Sequence, residues 1–132
     1  MAKAADVAIE TLVGPEIVTG STRMKAGTAQ KLVLNMISTT AMIRLGMTYS
    51  NWMINVTMTN TKLRARGIHM LSEILGVNLE QARKLSERSG GKLKVAVIMG
   101  ALGCSRRDAE QRLADGNGNL RKILGHLGAG RE

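Results

Sequence analysis

Turn chemistry constrains this chain more than any other feature: one proline, Pro15, stands against fifteen glycines in 132 residues. Beyond Pro15 the breaks fall at glycines, and the segments between them are apolar and of helical length. The segment 23–45 closes on Gly46. Its Leu32, Val33, Leu34, Met36, Ile37, Ala41, Met42, Ile43 and Leu45 cover nearly the whole circumference of a helix after the first two turns. Such a helix requires burial on most sides.

The same punctuation continues towards the C-terminus. Asn60 is placed to cap a helix running to residue 75, with Leu63, Ile68, Leu71, Ile74 and Leu75 as its stripe and Gly76 as its stop. Asn78 and Gln81 form the pattern of a capping box, opening a helix that ends before Gly90-Gly91. The segment 92–102 contains Val95, Ala96, Val97, Ile98 and Met99 and closes on Gly103. Its β-branched run also suits a strand, but the helices around it and the near absence of other strands favour a helix. Ser105 with Asp108 starts a further helix to about residue 114, and a last one follows Asn119.

Ahead of the long helix, Val7, Ile9 and Val13 alternate with smaller or polar residues, which predicts a short strand over 7–13. Between the two helical regions, 47–59 is irregular. Its Tyr49, Trp52, Ile54 and Val56 read as a connector packed partly onto the first unit. The expected fold is therefore mainly α. Residues 1–58 hold a short N-terminal strand, a loop and the long helix, and 59–132 hold a small helical bundle with a loose tail at 125–132.

Composition narrows the function classes. Phe is absent and Tyr49 and Trp52 are the only aromatics beside nine methionines, so the core is aliphatic. The lone Cys104 allows neither an intrachain disulfide nor a CxxC pair, which points to a reducing compartment and to a small apolar role for this residue. No apolar run reaches 18 residues, and the start lacks the layout of a secretory signal, so no membrane partner is expected. The net charge is +9, split +5 and +4 between residues 1–66 and 67–132. Charge spread this evenly, with two aromatics to stack on bases, argues against nucleic acid as a partner.

Chemistry concentrates in the stretch Gly14-Pro15-Glu16-Ile17-Val18-Thr19-Gly20-Ser21-Thr22-Arg23-Met24-Lys25. Unpaired amides at the helix start, the hydroxyls of Thr19, Ser21 and Thr22, and the cations Arg23 and Lys25 make a place for an anion; plain helix capping is the competing role. Glu16 suits an acid, a base or an acceptor for a sugar hydroxyl, and equally an ion pair with Arg23 or Lys25. Only Glu10 lies near it in sequence, so a carboxylate pair is not established. His69 and His126 have no ligand partners at metal spacing.

Residues 14–31, read on through Leu32-Val33-Leu34-Asn35-Met36-Ile37-Ser38-Thr39 and Ala41-Met42-Ile43-Arg44-Leu45-Gly46, closely resemble the signature region of N-acetylmuramic acid 6-phosphate etherases and the related glucokinase regulatory proteins. Asn51-Trp52-Met53-Ile54-Asn55-Val56 and Thr59-Asn60 with Lys62-Leu63 resemble the etherase continuation, Trp52 being larger than that pattern has. Lys94-Val95-Ala96-Val97-Ile98-Met99 resembles part of the family's C-terminal helical domain, which is similar to ubiquitin-associated folds.

The resemblance implies the C-terminal part of a protein about twice as long, whose sugar isomerase (SIS) α/β domain supplies two catalytic glutamates upstream. No residue here matches those motifs, so the resemblance places no catalytic residue in this chain, and it implies no metal or organic cofactor. The implied reaction releases D-lactate from a phosphorylated amino sugar in the bacterial cytoplasm, in a homodimer or higher homo-oligomer. Glu16, Thr19, Ser21, Thr22, Arg23 and Lys25 become substrate-proximal residues on the same basis. The alternative is a regulatory module that binds a phosphosugar and a protein partner without turnover. Such relatives carry two SIS units, and the closeness of residues 32–46 favours the etherase.

Overall fold

The computed structural model describes residues 4–125 and is mainly helical. Helix α1 (Lys25–Arg44) is followed by the strands β1 (Thr48–Tyr49) and β2 (Trp52–Met53), then by α2 (Thr61–Leu75), α3 (Leu79–Arg88), α4 (Leu93–Leu102), α5 (Arg106–Asp115) and α6 (Leu120–Leu124). The chain divides into two compact units, Met1–Ala41 and Met42–Glu132. The predicted tail and His126 lie outside the described residues, save Gly125.

In the first unit the expected strand over 7–13 does not form. A strand needs a neighbouring backbone to take its amides and carbonyls, and the sheet formed among the described residues is the β1–β2 pair. Val7 and Leu12 instead stand 78% and 98% exposed. Helix α1 forms close to the predicted limits, but no residue of it is buried. The burial that its all-round apolar surface requires is not supplied by the described residues. Its end is as the sequence predicts: Gly46 takes φ +70°, its amide reaches the Ile43 carbonyl at 3.0 Å, and the Met47 amide reaches Met42 at 3.0 Å. This pair of bonds is a Schellman closure, which needs the left-handed backbone that glycine adopts without strain.

The second unit is built around α4, which packs on α2, α3, α5 and α6. Leu93 and Val95 through Met99 are all buried. At about 1.5–3 kcal/mol for each large apolar side chain removed from water, this helix dominates the stabilisation of the unit. Met70 and Leu71 of α2, Ala82 of α3, Ala109 of α5 and Leu120 of α6 close around it. Tyr49, Ile54 and Met58 of the connector are buried in the same cluster, so the connector packs with the bundle.

Capping follows the sequence closely. Asn60 Oδ1 accepts from the Leu63 amide at 2.9 Å, and the Asn78 and Gln81 side chains exchange bonds with each other's backbone at 2.9 and 3.1 Å. Ser105 Oγ accepts from the Asp108 amide at 3.2 Å. Each cap satisfies an amide that a helix start leaves without an intrahelical partner. The hairpin of β1 and β2 is a feature the sequence did not announce. Tyr49 pairs with Trp52 across a two-residue turn whose first member, Ser50, takes φ +52°.

Two close approaches fix the packing. A Cβ on Gly67 of α2 would strike the side chain of Met58, and one on Gly100 of α4 would strike that of Leu75. Lys94, the one charged residue of α4, turns its ammonium onto the carbonyls of Gly46 and Gly118 at 2.9 and 2.8 Å. Partial burial lowers its pKa, because the charged form loses hydration.

Candidate functional site

The loop before α1 is organised by Glu16. Its Oε2 accepts from the Lys25 amide and its Oε1 from the Ala26 amide, both at 3.0 Å. Pro15, directly before it, fixes the backbone, and the Pro15 carbonyl accepts from Lys25 Nζ at 2.9 Å. The carboxylate thus caps the helix from nine residues away, while the lysine side chain returns to the residue before it. A turn closes between them, with the Ser21 amide on the Val18 carbonyl at 3.0 Å and Gly20 at φ +85°. The Thr22 carbonyl accepts from the Gly27 amide at 3.0 Å.

This geometry decides between the roles open to Glu16. The amide of Ala26, then that of Lys25, then the Lys25 ammonium hold its carboxyl below the usual carboxylate range. A carboxylate stabilised in its charged form by the positive end of a helix is a poor proton donor, and its two oxygens are already engaged. It is a helix cap bonded to backbone amides, not simply the ion partner of a cation. The same bonds answer the expectation of an open anion site at the helix start. Two of the amides an anion would use are taken by Glu16.

The side chains left to meet a ligand are Thr19, Thr22 and Arg23, all exposed, the half-buried Ser21, and the exposed Lys25 ammonium, which has donors beyond its one bond to Pro15. Arg23 has no ion pair among the described residues. Glu16 and Lys25 are brought together by direct bonds, whereas Thr19 and Ser21 share one turn and Thr22 and Arg23 follow it. Among the described residues Glu10 makes no hydrogen bond or ion pair, and no carboxylate pairs with Glu16. Among the described residues no three His, Cys, Asp or Glu side chains converge where a metal ion could sit. His69 lies edge-on to Trp52 at 6.4 Å, and Cys104 is half buried at the edge of the core.

Beside the loop, Val13, Ile17, Met24, Lys25, Thr28, Ala29 and Leu32 line an open hollow of about 610 Å³. One cation and one hydroxyl among apolar groups suit an apolar side chain better than a phosphorylated sugar. Sequence reasoning missed this hollow because it placed Val13 in a strand that does not form and had no periodic signal at Ile17. It also missed Lys94, whose signal was a single charge inside an otherwise apolar helix. Of nineteen Lys and Arg, fifteen fall in residues 42–132, with seven of the ten Asp and Glu, so the first unit is nearly neutral. A division at residue 66 averages over this difference, because the four cations of residues 42–66 fall in its first half.

No family model matches the chain. It is 47% identical over 120 residues to an N-acetylmuramic acid 6-phosphate etherase of Geobacillus thermodenitrificans, 50% over 118 to one of Rhodopirellula baltica and 50% over 124 to one of Klebsiella aerogenes. These matches take in 91%, 89% and 94% of this chain, but 41%, 39% and 41% of the relatives. The chain therefore spans about two-fifths of the length of the curated relatives it matches. The resemblance read on residues 14–46, 51–63 and 94–99 is matched by identity over about nine-tenths of the chain.

Proposed function

We propose that this chain is the C-terminal region of an N-acetylmuramic acid 6-phosphate etherase, a carbon–oxygen lyase of bacterial cytoplasm that forms N-acetylglucosamine 6-phosphate and D-lactate. The observation that carries this reading is an identity of 47–50% to three such enzymes over about nine-tenths of the chain. In this reading residues 1–58 are the end of a SIS domain and 59–132 a bundle similar to ubiquitin-associated folds, and the enzyme works as a homodimer or larger homo-oligomer. Both catalytic carboxylates belong to the part of the enzyme that this chain does not match, so the chain alone is inactive.

The loop acts by shape and charge. Glu16 holds the turn against α1, and Thr19, Ser21, Thr22, Arg23 and Lys25 form the substrate-proximal set, with hydroxyl and cationic donors for a phosphorylated amino sugar. Binding energy from such a remote group positions the ether bond without the loop itself exchanging protons.

A chimera tests this: this chain replaces the matched two-fifths of the Klebsiella aerogenes etherase, and D-lactate release from N-acetylmuramic acid 6-phosphate is followed. The chimera is expected to turn over and the isolated chain to give none. In the chimera, Arg23→Ala is expected to raise KM about tenfold or more, the loss of one charge-assisted bond. A folded chimera without lactate release rejects the etherase reading. Release by the isolated chain rejects the upstream placement of the chemistry and puts carboxylates of this chain, Glu16 first, in question.

A further inference from the structure

The second unit carries a groove of about 660 Å³ between α2, α3 and the turn into α4, within the size range of small-ligand sites. Met58 and Ile68 give it an apolar wall, and Met58 is seated against Gly67, where a Cβ would strike it. The isolated antiparallel bridge between Thr57 and Lys92 links two of its lining segments. At Gly91 the backbone runs at φ +76° with open space beside its Cα, so a ligand can lie directly on the main chain there. The groove is preformed, and none of its residues belongs to the 14–25 stretch.

Three cations line the groove, and their partners differ. Arg83 lies between Glu80 and Glu87 at 3.0 and 2.6 Å, and Lys92 Nζ meets Glu110 at 2.8 Å. Arg64 has no carboxylate within ion-pair reach among the described residues. Its Nε donates to the Met58 carbonyl at 3.3 Å, which holds the guanidinium in place and leaves the two terminal nitrogens as a fork. Such a fork matches the two oxygens of a carboxylate. One cation that is not offset calls for a single negative charge, and Glu87 in the same groove repels a second. The apolar wall calls for a carbon body attached to that charge.

We propose that this groove binds a monocarboxylate with an apolar body: the carboxylate on the terminal nitrogens of Arg64, the body on Met58 and Ile68, and the rest of the molecule along Gly91. A free carboxylic acid and the carboxyl end of a peptide share this chemistry. The site stands on the second unit alone and does not depend on the etherase reading.

The test is titration of the whole chain, followed by amide chemical shifts, with N-acetyl-leucine, its neutral amide and isopentyl phosphate. N-acetyl-leucine is expected to bind with a Kd of about 1 mM or tighter and to shift the amides of Ile68, Ser86 and Gly91. The amide, which lacks the charge, and the phosphate, which carries nearly two, are each expected to bind about tenfold more weakly or worse. Arg64→Gln is expected to weaken N-acetyl-leucine about tenfold or more, and Arg64→Lys, which keeps the charge and loses the fork, by an intermediate factor. Arg66→Gln, at an exposed cation of the same helix outside the groove, leaves binding within about twofold. Unchanged shifts in α4 show that each variant is folded. An acetylated tripeptide ending in leucine that binds more tightly than N-acetyl-leucine assigns the site to a peptide end; equal binding assigns it to the free acid. No binding of either, shifts confined to other residues, binding that survives Arg64→Gln, or equal binding of the amide or the phosphate overturns the proposal.

Discussion

Helices α1 and α4 share one sequence property and meet opposite fates. Both carry apolar residues round the whole circumference, yet α4 is wrapped by α2, α3, α5 and α6 while α1 has no buried residue. The difference lies in what surrounds them in sequence. Helix α4 sits between segments that each bring an apolar stripe and a short glycine turn, so its neighbours return to it within a few residues. Helix α1 is preceded by irregular chain that offers no second layer. An all-round apolar pattern states a demand for burial without saying which part of a protein meets it.

The comparison can be broken most forcefully at matched isoleucines. Ile98→Ala in α4 removes a fully buried side chain and is expected to cost about 2–5 kcal/mol in urea unfolding, whereas Ile37→Ala in α1 should fall within about 0.5 kcal/mol of the parent. Equal losses at the two positions would mean that α1 is covered in solution by this chain itself. Gly67→Ala sharpens the bundle side, because the added methyl meets Met58, buried in the same core; about 1–3 kcal/mol is expected, with the hairpin and connector loosening first in amide exchange.

Smaller effects separate the two ways of starting a helix. Asn78→Ala deletes one half of a reciprocal cap and should lower the unfolding free energy by about 1 kcal/mol, roughly independently of pH near neutrality. Helix α1 relies on a carboxylate, and its cap titrates. Because the Glu16 pKa is lowered in the folded loop, its contribution is fully present above the unfolded-chain value and disappears as pH falls through the folded one. Amide exchange at Lys25 and Ala26 is therefore expected to lose protection on acidification, and Glu16→Gln to flatten that dependence. A profile unchanged by Glu16→Gln would show that another group governs the loop.

Sequence alone revealed those features whose physics is local. Asn60, Asn78 and Ser105 cap as expected because a cap is settled within three residues, and Gly46 and Gly76 stop their helices because only a left-handed residue closes that turn cheaply. The helical assignment of 93–102 rested on its neighbours, since Val95, Val97 and Ile98 alone suit a strand equally well. What depended on distant parts of the chain or on irregular turns was not legible in this way. The alternation of Val7, Ile9 and Val13 promised a strand that needs a sheet to pair with, and the Glu16 bonds to Lys25 and Ala26 span a turn that no periodicity describes. The stretch 14–25 stood out by its hydroxyls and charges at a helix start, only the resemblance tied it to a substrate, and the structure adds the Glu16 bonds that hold the turn.

Lys94 has a consequence for how the second unit loosens. Its ammonium joins carbonyls at residues 46 and 118, which lie near the two extremities of that unit in sequence. Fraying usually starts independently at the two ends of a helical bundle and moves inward. Here the first turn to open strips a hydrogen bond from a half-buried cation that also serves the other end, so each extremity resists the unravelling of its opposite. The two ends are expected to come apart in one cooperative step.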